Sequence, residues 1–171
     1  YIAGKTPNPC VVCNQTKKFG AFLREAQKLG YAKIATGHYA KIGTENGETV
    51  LKRSENRKKD QSYFLNGLTK EQISNAIFPL EDEDKDEIRR IAAECGFENA
   101  QKKDSQDICF VQSAPGAYVE FIESYTGKAM TPGVFMDTDG NVIGEHCGIA
   151  RYTVGQRKGV NMSFGSGKPL Y

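Results

Sequence analysis

The sequence lacks any long apolar run. No stretch approaches the roughly 18 residues that a membrane-spanning helix needs, and no secretory signal pattern is found near its first residue, Tyr1. Of the 171 residues, 39% are hydrophobic and 26% are charged, which is typical of a globular protein. We therefore predict a cytoplasmic protein without a membrane partner.

Histidine is scarce as well, because only His38 and His146 are present. A structural zinc site needs four ligands, and the one CxxC pair, Cys10 and Cys13, has no second pair to complete it. The cysteines are odd in number and widely spread, which favours reduced thiols over a disulfide framework. The five cysteines are Cys10, Cys13, Cys95, Cys109 and Cys147.

Apolar spacing and turn residues predict an alternation of helices and strands in the first half. A helix is expected to begin at Asn14, as its N-cap, and to stop at Gly30. A short buried strand at 32–36 then runs into Gly37, and Asn46-Gly47 marks the turn of a hairpin formed by 39–43 and 49–53. A glycine-bearing loop at the end of such a strand is where ligands bind in α/β proteins.

The second half is predicted from the same signals. Short helices are expected at 61–68 and at 69–77, the latter opened by a capping box of Thr69 and Gln72. A helix at about 84–95 carries an apolar stripe that places Cys95 in the core. Further predictions are a strand at 108–111, a helix that starts at Ser113 and Pro115, and a β-rich unit from Gly127 onward.

Three features of the sequence are chemically suggestive, and each has alternatives. Cys10 and Cys13 precede the predicted helix, whose positive end favours thiolate, so they fit a nucleophile, a redox pair with a reversible 10–13 disulfide, or part of a metal site. Cys109 fits a buried apolar position and a site-facing strand edge equally well. Basic residues crowd one segment, which fits either a solvated loop or a contact with nucleic-acid phosphates. They are Lys52, Arg53, Arg57, Lys58 and Lys59.

Five blocks of the sequence, taken together, resemble one known family. In order they are "TPNPCVVCNQTKKFGAFL", "IATGHYAKI", "KDQSYFLNGL", "KKDSQDICF" and "GEHCGIARYTVGQRKG". Their order and spacing are similar to those of the tRNA-specific 2-thiouridylases. The blocks run from Thr6 to Gly159, so the resemblance covers nearly the whole chain.

The resemblance implies a fold and a reaction. The fold is part of a Rossmann-like adenine-nucleotide alpha-hydrolase (PP-loop ATP pyrophosphatase) domain with a helical segment, followed by the start of a β-rich domain. The reaction is ATP- and Mg2+-dependent replacement of the C2 oxygen of the wobble uridine (position 34) by sulfur. Adenylation of that oxygen creates the leaving group that a carbonyl lacks, and a persulfide sulfur then displaces AMP.

Partners and residue roles follow from the same resemblance. The implied partners are the tRNAs for Lys, Glu and Gln and a sulfur donor such as a cysteine desulfurase or a sulfur relay protein. Cys13 matches the nucleophile and Cys109 the persulfide carrier, and these two cysteines must come close enough to form a disulfide. Gly37 matches a nucleotide-binding residue. The residues matched to tRNA or to its target base are Asn8, Pro9, Cys10, His38, Lys59, Asp60, Gln61, Arg157 and Lys158.

The sequence departs from the family pattern in two places. Some family members carry Asp where this chain has Cys10, so Cys10 instead resolves a disulfide or, with Cys13 and Cys109, holds an iron–sulfur cluster. The SGGxDS-like phosphate loop is absent from the 171 residues. We therefore expect a fragment that does not adenylate RNA by itself, with a PP-loop portion at 1–125, a helical insertion at about 69–97, and the start of the β-rich domain at 126–171. A non-catalytic RNA-binding module is the alternative from another class.

Overall fold

The computed structural model describes residues 1–101, 108–111, 114 and 116–156. The chain divides into two compact units. One unit is Asn8–Asp104, and the other combines Tyr1–Pro7 with Ser105–Tyr171. None of the described helices is both long enough and apolar enough to cross a membrane.

The first helix of the Asn8–Asp104 unit begins earlier than predicted. Helix α1 is Pro9–Cys13, and Asn8 is its N-cap, because the Asn8 Oδ1 atom accepts hydrogen bonds from the backbone N–H groups of Cys10 (3.1 Å) and Val11 (3.4 Å). Proline fits the first helical position because its missing N–H would have no partner there. The prediction of Asn14 as N-cap is therefore wrong: Asn14 is buried inside the helix.

The helix continues through an unusual segment. Residues Asn14–Phe22 form a π-helix, which passes into helix α2 at Leu23–Lys28. At Gly20 an added Cβ would lie 2.9 Å from the backbone oxygen of Gln15, so the wide turn tolerates only glycine there without a shift. The predicted stop at Gly30 is confirmed, since its φ of +88° suits glycine.

A short parallel pair lies next to this helix. Strand β1 (Ile34–Ala35) pairs in parallel with β4 (Ala76–Ile77). Helix α3 (Lys70–Ser74) opens with the predicted capping box but ends before 76, so the predicted helix at 69–77 is wrong in its last residues. The reason is non-local, because the backbone around β4 hydrogen-bonds to β1, as in the 3.0 Å bond from the Ile34 N–H to the Asn75 oxygen.

The hairpin prediction is confirmed. Strands β2 (Ala40–Glu45) and β3 (Glu48–Arg53) are antiparallel, and Asn46 and Gly47 form the turn with φ of 51° and 80°. Positive φ at both central residues matches the right-handed twist of the strands. The short helix predicted at 61–68 is present as a 3-10 helix at Ser62–Leu65.

The core of this unit joins the first helix, β1, β4 and the 3-10 helix. Phe19 and Leu65 are each 1% exposed. Close packing of this kind makes the position of each element depend on its neighbours. The buried cluster consists of Phe19, Leu23, Ala26, Ile34, Ala40, Leu65, Ala76 and Phe78.

Helix α4 (Lys85–Glu94) matches the prediction in extent but not in burial. Asp84 is its N-cap and Gly96, with φ of +72°, follows its end. No residue of α4 is buried, Ile91 is 40% exposed, and Cys95 is exposed. The prediction of Cys95 as a core residue is wrong, because spacing shows which side chains share a helix face but not whether anything covers that face.

Among its described residues, the other unit contains one α-helix, one hairpin and a 3-10 helix at Ile149–Arg151. Helix α5 is Ala117–Thr126, and strands β5 (Gly133–Met136) and β6 (Val142–His146) pair antiparallel, as the prediction of β structure beyond Gly127 requires. Ser113 and Pro115, the predicted start of α5, lie outside the described residues.

The strand predicted at 108–111 is not observed. This segment is a turn, in which the Val111 N–H donates to the Ile108 oxygen at 2.9 Å. A four-residue apolar run is compatible with several structures, so its sequence alone does not select a strand.

Candidate functional site

The two clustered cysteines lie on the first helix rather than before it. Cys10 is the second helical residue and Cys13 the last residue of α1, and both are half-buried. Since the field of a helix terminus falls off within the first turn, it acts on Cys10 more than on Cys13. Asn8 and Pro9, predicted to meet the target base, form the cap and the first position of this helix.

Cys13 is held in place by its neighbour. The Asn14 side chain is 2% exposed, and its Nδ2 donates to the Phe64 backbone oxygen at 2.9 Å. The Gln72 Nε2 donates to the Gln15 oxygen at 2.9 Å, one residue further on. These bonds join the cysteine-bearing helix to the 3-10 helix and to α3, so Cys13 stands on a well-anchored element.

Gly37 and His38 follow directly after β1. Gly37 is exposed, whereas the His38 ring packs against Phe19 and Phe78 with centroid distances of 6.1 and 6.2 Å. The His38 Nδ1 and the Thr36 Oγ1 share a hydrogen bond of 2.8 Å. Burial, and then the charge of Lys18, lowers the pKa of His38 to about 4. His38 is therefore neutral at pH 7 and suits hydrogen bonding rather than pairing with a phosphate.

The predicted segment Lys59-Asp60-Gln61 is hydrogen-bonded to Tyr39, the residue that follows His38. The Gln61 N–H donates to the Tyr39 oxygen at 2.8 Å, and the Gln61 Oε1 accepts from the Tyr39 N–H at 3.1 Å. The structure thus brings together two groups of predicted residues, Gly37-His38 and 59–61, that are about twenty positions apart in sequence.

The Asp60 carboxylate accepts hydrogen bonds from residues of the same loop. Its side chain is 9% exposed, and its carboxylate accepts from the Ser54 N–H (2.8 Å), the Ser62 Oγ (2.8 Å) and the Arg53 Nε (3.4 Å). Burial by itself raises the pKa of Asp60, but the hydrogen bonds from Ser54, Ser62 and Arg53 outweigh it and hold the pKa below its ordinary value. Asp60 therefore orders the loop on which Lys59 lies.

A cleft beside Lys59 includes residues that the sequence did not suggest. Its volume is about 280 Å3, and it is lined by Asn56, Lys58, Lys59, Asp84, Lys85, Asp86 and Arg89. The available signal was the four-residue spacing of Lys85 and Arg89, which places both on one face of α4. A larger open groove of about 500 Å3, between the hairpin and β4, contains none of the predicted site residues.

Cys109 lies in a different setting. It is an exposed residue of the turn at 108–111, within the unit that does not contain Cys13, so the pairing of the two thiols stays a prediction. Among the described residues, no group of three or more His, Cys, Asp or Glu side chains is placed to hold a metal ion. Arg157 and Lys158 lie outside the described residues.

Comparison with protein families defines the class. Residues 1–113 match the model of the tRNA methyl transferase HUP domain, and residues 119–171 match that of the tRNA methyl transferase PRC-barrel domain. The chain belongs to this family. A Rossmann-like HUP domain followed by a PRC-barrel domain confirms the predicted fold class of a nucleotide-binding α/β domain and a β-rich domain.

The individual relatives make the resemblance more specific. The chain is 48% identical to the tRNA-specific 2-thiouridylase MnmA of Lachnoclostridium phytofermentans over 96% of its length and 46% of that protein. It is 47% identical to the protein of the same name from Treponema denticola, and 44% identical to that from Clostridioides difficile, over 100% of the chain and 47% of each relative. The predicted resemblance is confirmed. The chain spans about half the length of the curated relatives it matches.

Proposed function

We propose that this chain is the sulfur-transfer portion of an ATP-dependent tRNA-uridine 2-sulfurtransferase that thiolates the wobble uridine. The observation that carries the proposal is the identity of 44–48% to proteins named tRNA-specific 2-thiouridylase over 96–100% of the chain. Because the match covers 96–100% of the chain, it includes the positions of Cys13 and Cys109, to which we assign the sulfur transfer.

The proposed sulfur transfer uses Cys13 and Cys109. The terminal sulfur of a Cys109 persulfide attacks the adenylated C2, and AMP departs with the former C2 oxygen. The Cys13 thiolate then attacks the Cys109 Sγ and breaks its bond to the transferred sulfur, which leaves 2-thiouridine and a Cys13–Cys109 disulfide. A thiol reductant supplies two electrons to restore both thiols.

The positions of the two cysteines support these roles. Cys13 is half-buried beside the anchored Asn14, which suits a thiol that must meet one reacting bond. Cys109 is exposed on a turn, which suits a thiol that receives sulfur from a separate donor protein. The proposed donor is a cysteine desulfurase or a sulfur relay protein.

ATP supplies the adenylate that turns the C2 oxygen into a leaving group, and its Mg2+ would accompany the phosphates. Within this chain, Gly37 is the residue that fits the nucleotide, because it is exposed at the carboxyl end of the parallel strand β1. An added Cβ at Gly37 would lie 3.7 Å from the Leu80 side chain, an ordinary contact distance, so the backbone there is open to a ligand.

The proposed RNA contacts are of two kinds, to the target base and to the backbone. Asn8, Pro9, Cys10 and His38 would meet the target base, and a neutral His38 supports hydrogen bonding to a base. The segment 59–61 and the pair Arg157 and Lys158 would meet the backbone of the tRNAs for Lys, Glu and Gln. We assign 1–125, with the insertion at about 69–97, to the adenylating domain and 126–171 to the β-rich domain, in a cytoplasmic protein.

Mass spectrometry of cysteine adducts tests the proposal. The full chain is incubated with a cysteine desulfurase and cysteine, and we expect one added sulfur atom on Cys109. When adenylated tRNA substrate is supplied, that sulfur should be lost as a Cys13–Cys109 disulfide forms. Cys109→Ser should abolish the adduct, and Cys147→Ser, which removes another exposed cysteine, should leave it unchanged.

Three other results would contradict the proposal. A persulfide that forms only on other cysteines would show that Cys109 is not the sulfur carrier. A reversible disulfide between Cys10 and Cys13 alone would indicate a thiol–disulfide oxidoreductase. A brown protein after anaerobic purification, whose colour needs Cys10, Cys13 and Cys109, would indicate an iron–sulfur enzyme.

A further inference from the structure

The cleft between the loop at 54–60 and the start of α4 has an unusual concentration of positive charge. Four of the seven residues that line it are cationic, namely Lys58, Lys59, Lys85 and Arg89, against two carboxylates, Asp84 and Asp86. The lining therefore carries a formal net charge of +2, from two elements about 25 positions apart in sequence. Cations brought together in this way repel one another unless an anion lies between them.

The positive charge of the cleft acts on Lys85, against the opposite effect of Asp86. Burial lowers the pKa of Lys85, and the charges of Lys59 and Arg89 lower it further. The hydroxyl of Tyr39 also interacts with Lys59 and Arg89, although burial is the main reason that its pKa is raised. Lys59, Lys85 and Arg89 lie around one volume, the cleft whose lining they share.

By count, the two carboxylates of the lining balance two of its four positive charges. Asp84 accepts from the Asp86 N–H at 2.9 Å as the cap of α4. Asp86 lies 3.6 Å from the Arg89 Nη1, but its side chain is 91% exposed, so water screens the pair. Two further acidic residues pair elsewhere, Asp82 with Lys41 at 2.9 Å and Glu87 with Arg90.

Arg89 carries an unused donor. Among the described residues, its Nε is the one buried side-chain nitrogen or oxygen without a hydrogen bond. Leaving a buried donor unpaired costs free energy, and structures normally avoid it. A phosphate oxygen is a strong acceptor with the geometry that a guanidinium prefers.

We infer that this cleft binds a phosphodiester group of an RNA backbone, with Lys59, Lys85 and Arg89 around it. The inference rests on the proposed function, because it takes tRNA as the substrate. A polyanion fits better than a free phosphate, since Arg57, Lys58 and Lys59 continue the positive surface along the loop and the cleft is open. Lys85 and Arg89 thereby become RNA-binding residues on a helix that the motifs do not include.

The salt dependence of tRNA binding tests the inference. Fluorescence anisotropy gives the Kd of the full chain between about 50 and about 200 mM salt. In the double variant Lys85→Gln, Arg89→Gln, the slope of log K against log salt should fall by about 2. The loss of affinity over this range should then be about tenfold smaller than in the parent chain. Arg89→Lys, which keeps the charge, should retain most of the slope.

Arg90→Gln is the matched control. It removes one cation from the next position of α4, where Arg90 pairs with Glu87 and Glu94 and does not line the cleft. It should leave the slope unchanged, and thermal melting should show that all variants are folded. An equal fall of the slope in Arg90→Gln would overturn the inference, because it would reveal a general effect of charge.

The remaining outcomes separate the cleft from the proposed function. A double variant with the parent's slope, or a parent chain that binds no tRNA, overturns the cleft assignment even if Cys109 still takes up sulfur. Inorganic phosphate is the second probe. If it binds the parent and not the double variant while the RNA slopes agree, the cleft is a site for free anions and not for RNA.

Discussion

The two units differ in how firmly they hold Cys13 and Cys109, the two cysteines of the proposed reaction. The unit with Cys13 has a contiguous core around Phe19 and Leu65, both almost fully buried. In the described part of the other unit, the buried hydrophobic residues are small or medium-sized, namely Ala117, Val119, Ile122 and Ala150. One cysteine is therefore positioned by packing, whereas Cys109 lies on an exposed turn.

This contrast suits a reaction in which sulfur is received from one protein and delivered at another place. A carrier thiol must be reached from outside, and a nucleophile must hold its geometry. Matched pairs of substitutions, one in each unit, test this contrast through the loss of stability that each causes.

Truncation of a core residue should have the largest effect. Phe19→Ala removes an aromatic ring that packs on His38 and Phe78, and we expect a loss of about 3–5 kcal/mol of unfolding free energy. Val119→Ala, on α5 of the other unit, should cost about 1.5 kcal/mol. Hydrogen exchange followed on peptides from each unit measures both, and equal losses would mean that the two units are equally well packed.

A methyl group added to the π-helix should have the next largest effect. Gly20→Ala places a Cβ against the Gln15 backbone oxygen, which cannot move without changing the helix that carries Cys13, so we expect a cost of about 1–3 kcal/mol. Gly133→Ala, in β5, meets the His146 ring at 2.8 Å, and a side chain can turn away. Urea denaturation compares them. A Gly133→Ala variant less stable than Gly20→Ala would show that the π-helix relaxes easily.

Substitution of one loop carboxylate in each unit, Asp60 and Asp137, should give the smallest difference in unfolding free energy. Asp60→Asn exchanges a buried acceptor of three hydrogen-bond donors for an amide, at a cost of about 1–2 kcal/mol at pH 7. Asp137, the corresponding carboxylate of the β5–β6 turn, is more exposed to water, so Asp137→Asn should cost less. Thermal melting at several pH values measures both.

The effect of Asp60→Asn on stability should depend on pH. The pKa of Asp60 is lower in the folded protein than its ordinary value of 3.8. Its ionised form therefore stabilises the fold at neutral pH, and that contribution is lost as the pH falls below about 3.8 and through the folded-state pKa. The gap between the parent and Asp60→Asn should close in acid, and a gap independent of pH would show that the charge of Asp60 does not matter.

Local signals in the sequence predicted local structure well. The Asn46-Gly47 hairpin, the capping box of Thr69 and Gln72, and the stop at Gly30 are confirmed because each depends on residues within a few positions of one another. The failures depend on distant partners. Asn14 lies inside the helix, where its side chain donates to the distant Phe64 oxygen. Ala76–Ile77, predicted as helical, instead pair with β1.

The sequence by itself determined the family, since five motifs in series identify it without any knowledge of the fold. It also predicts the residues that bear the chemistry, and that prediction awaits the adduct experiment. Only the tertiary structure decided which thiol is anchored and which is exposed, because burial depends on elements far apart in the chain. It also decided that the loop with Lys59 and the helix with Lys85 and Arg89 share one cleft. Charges that are separated by an acidic stretch in sequence become neighbours only when the chain folds.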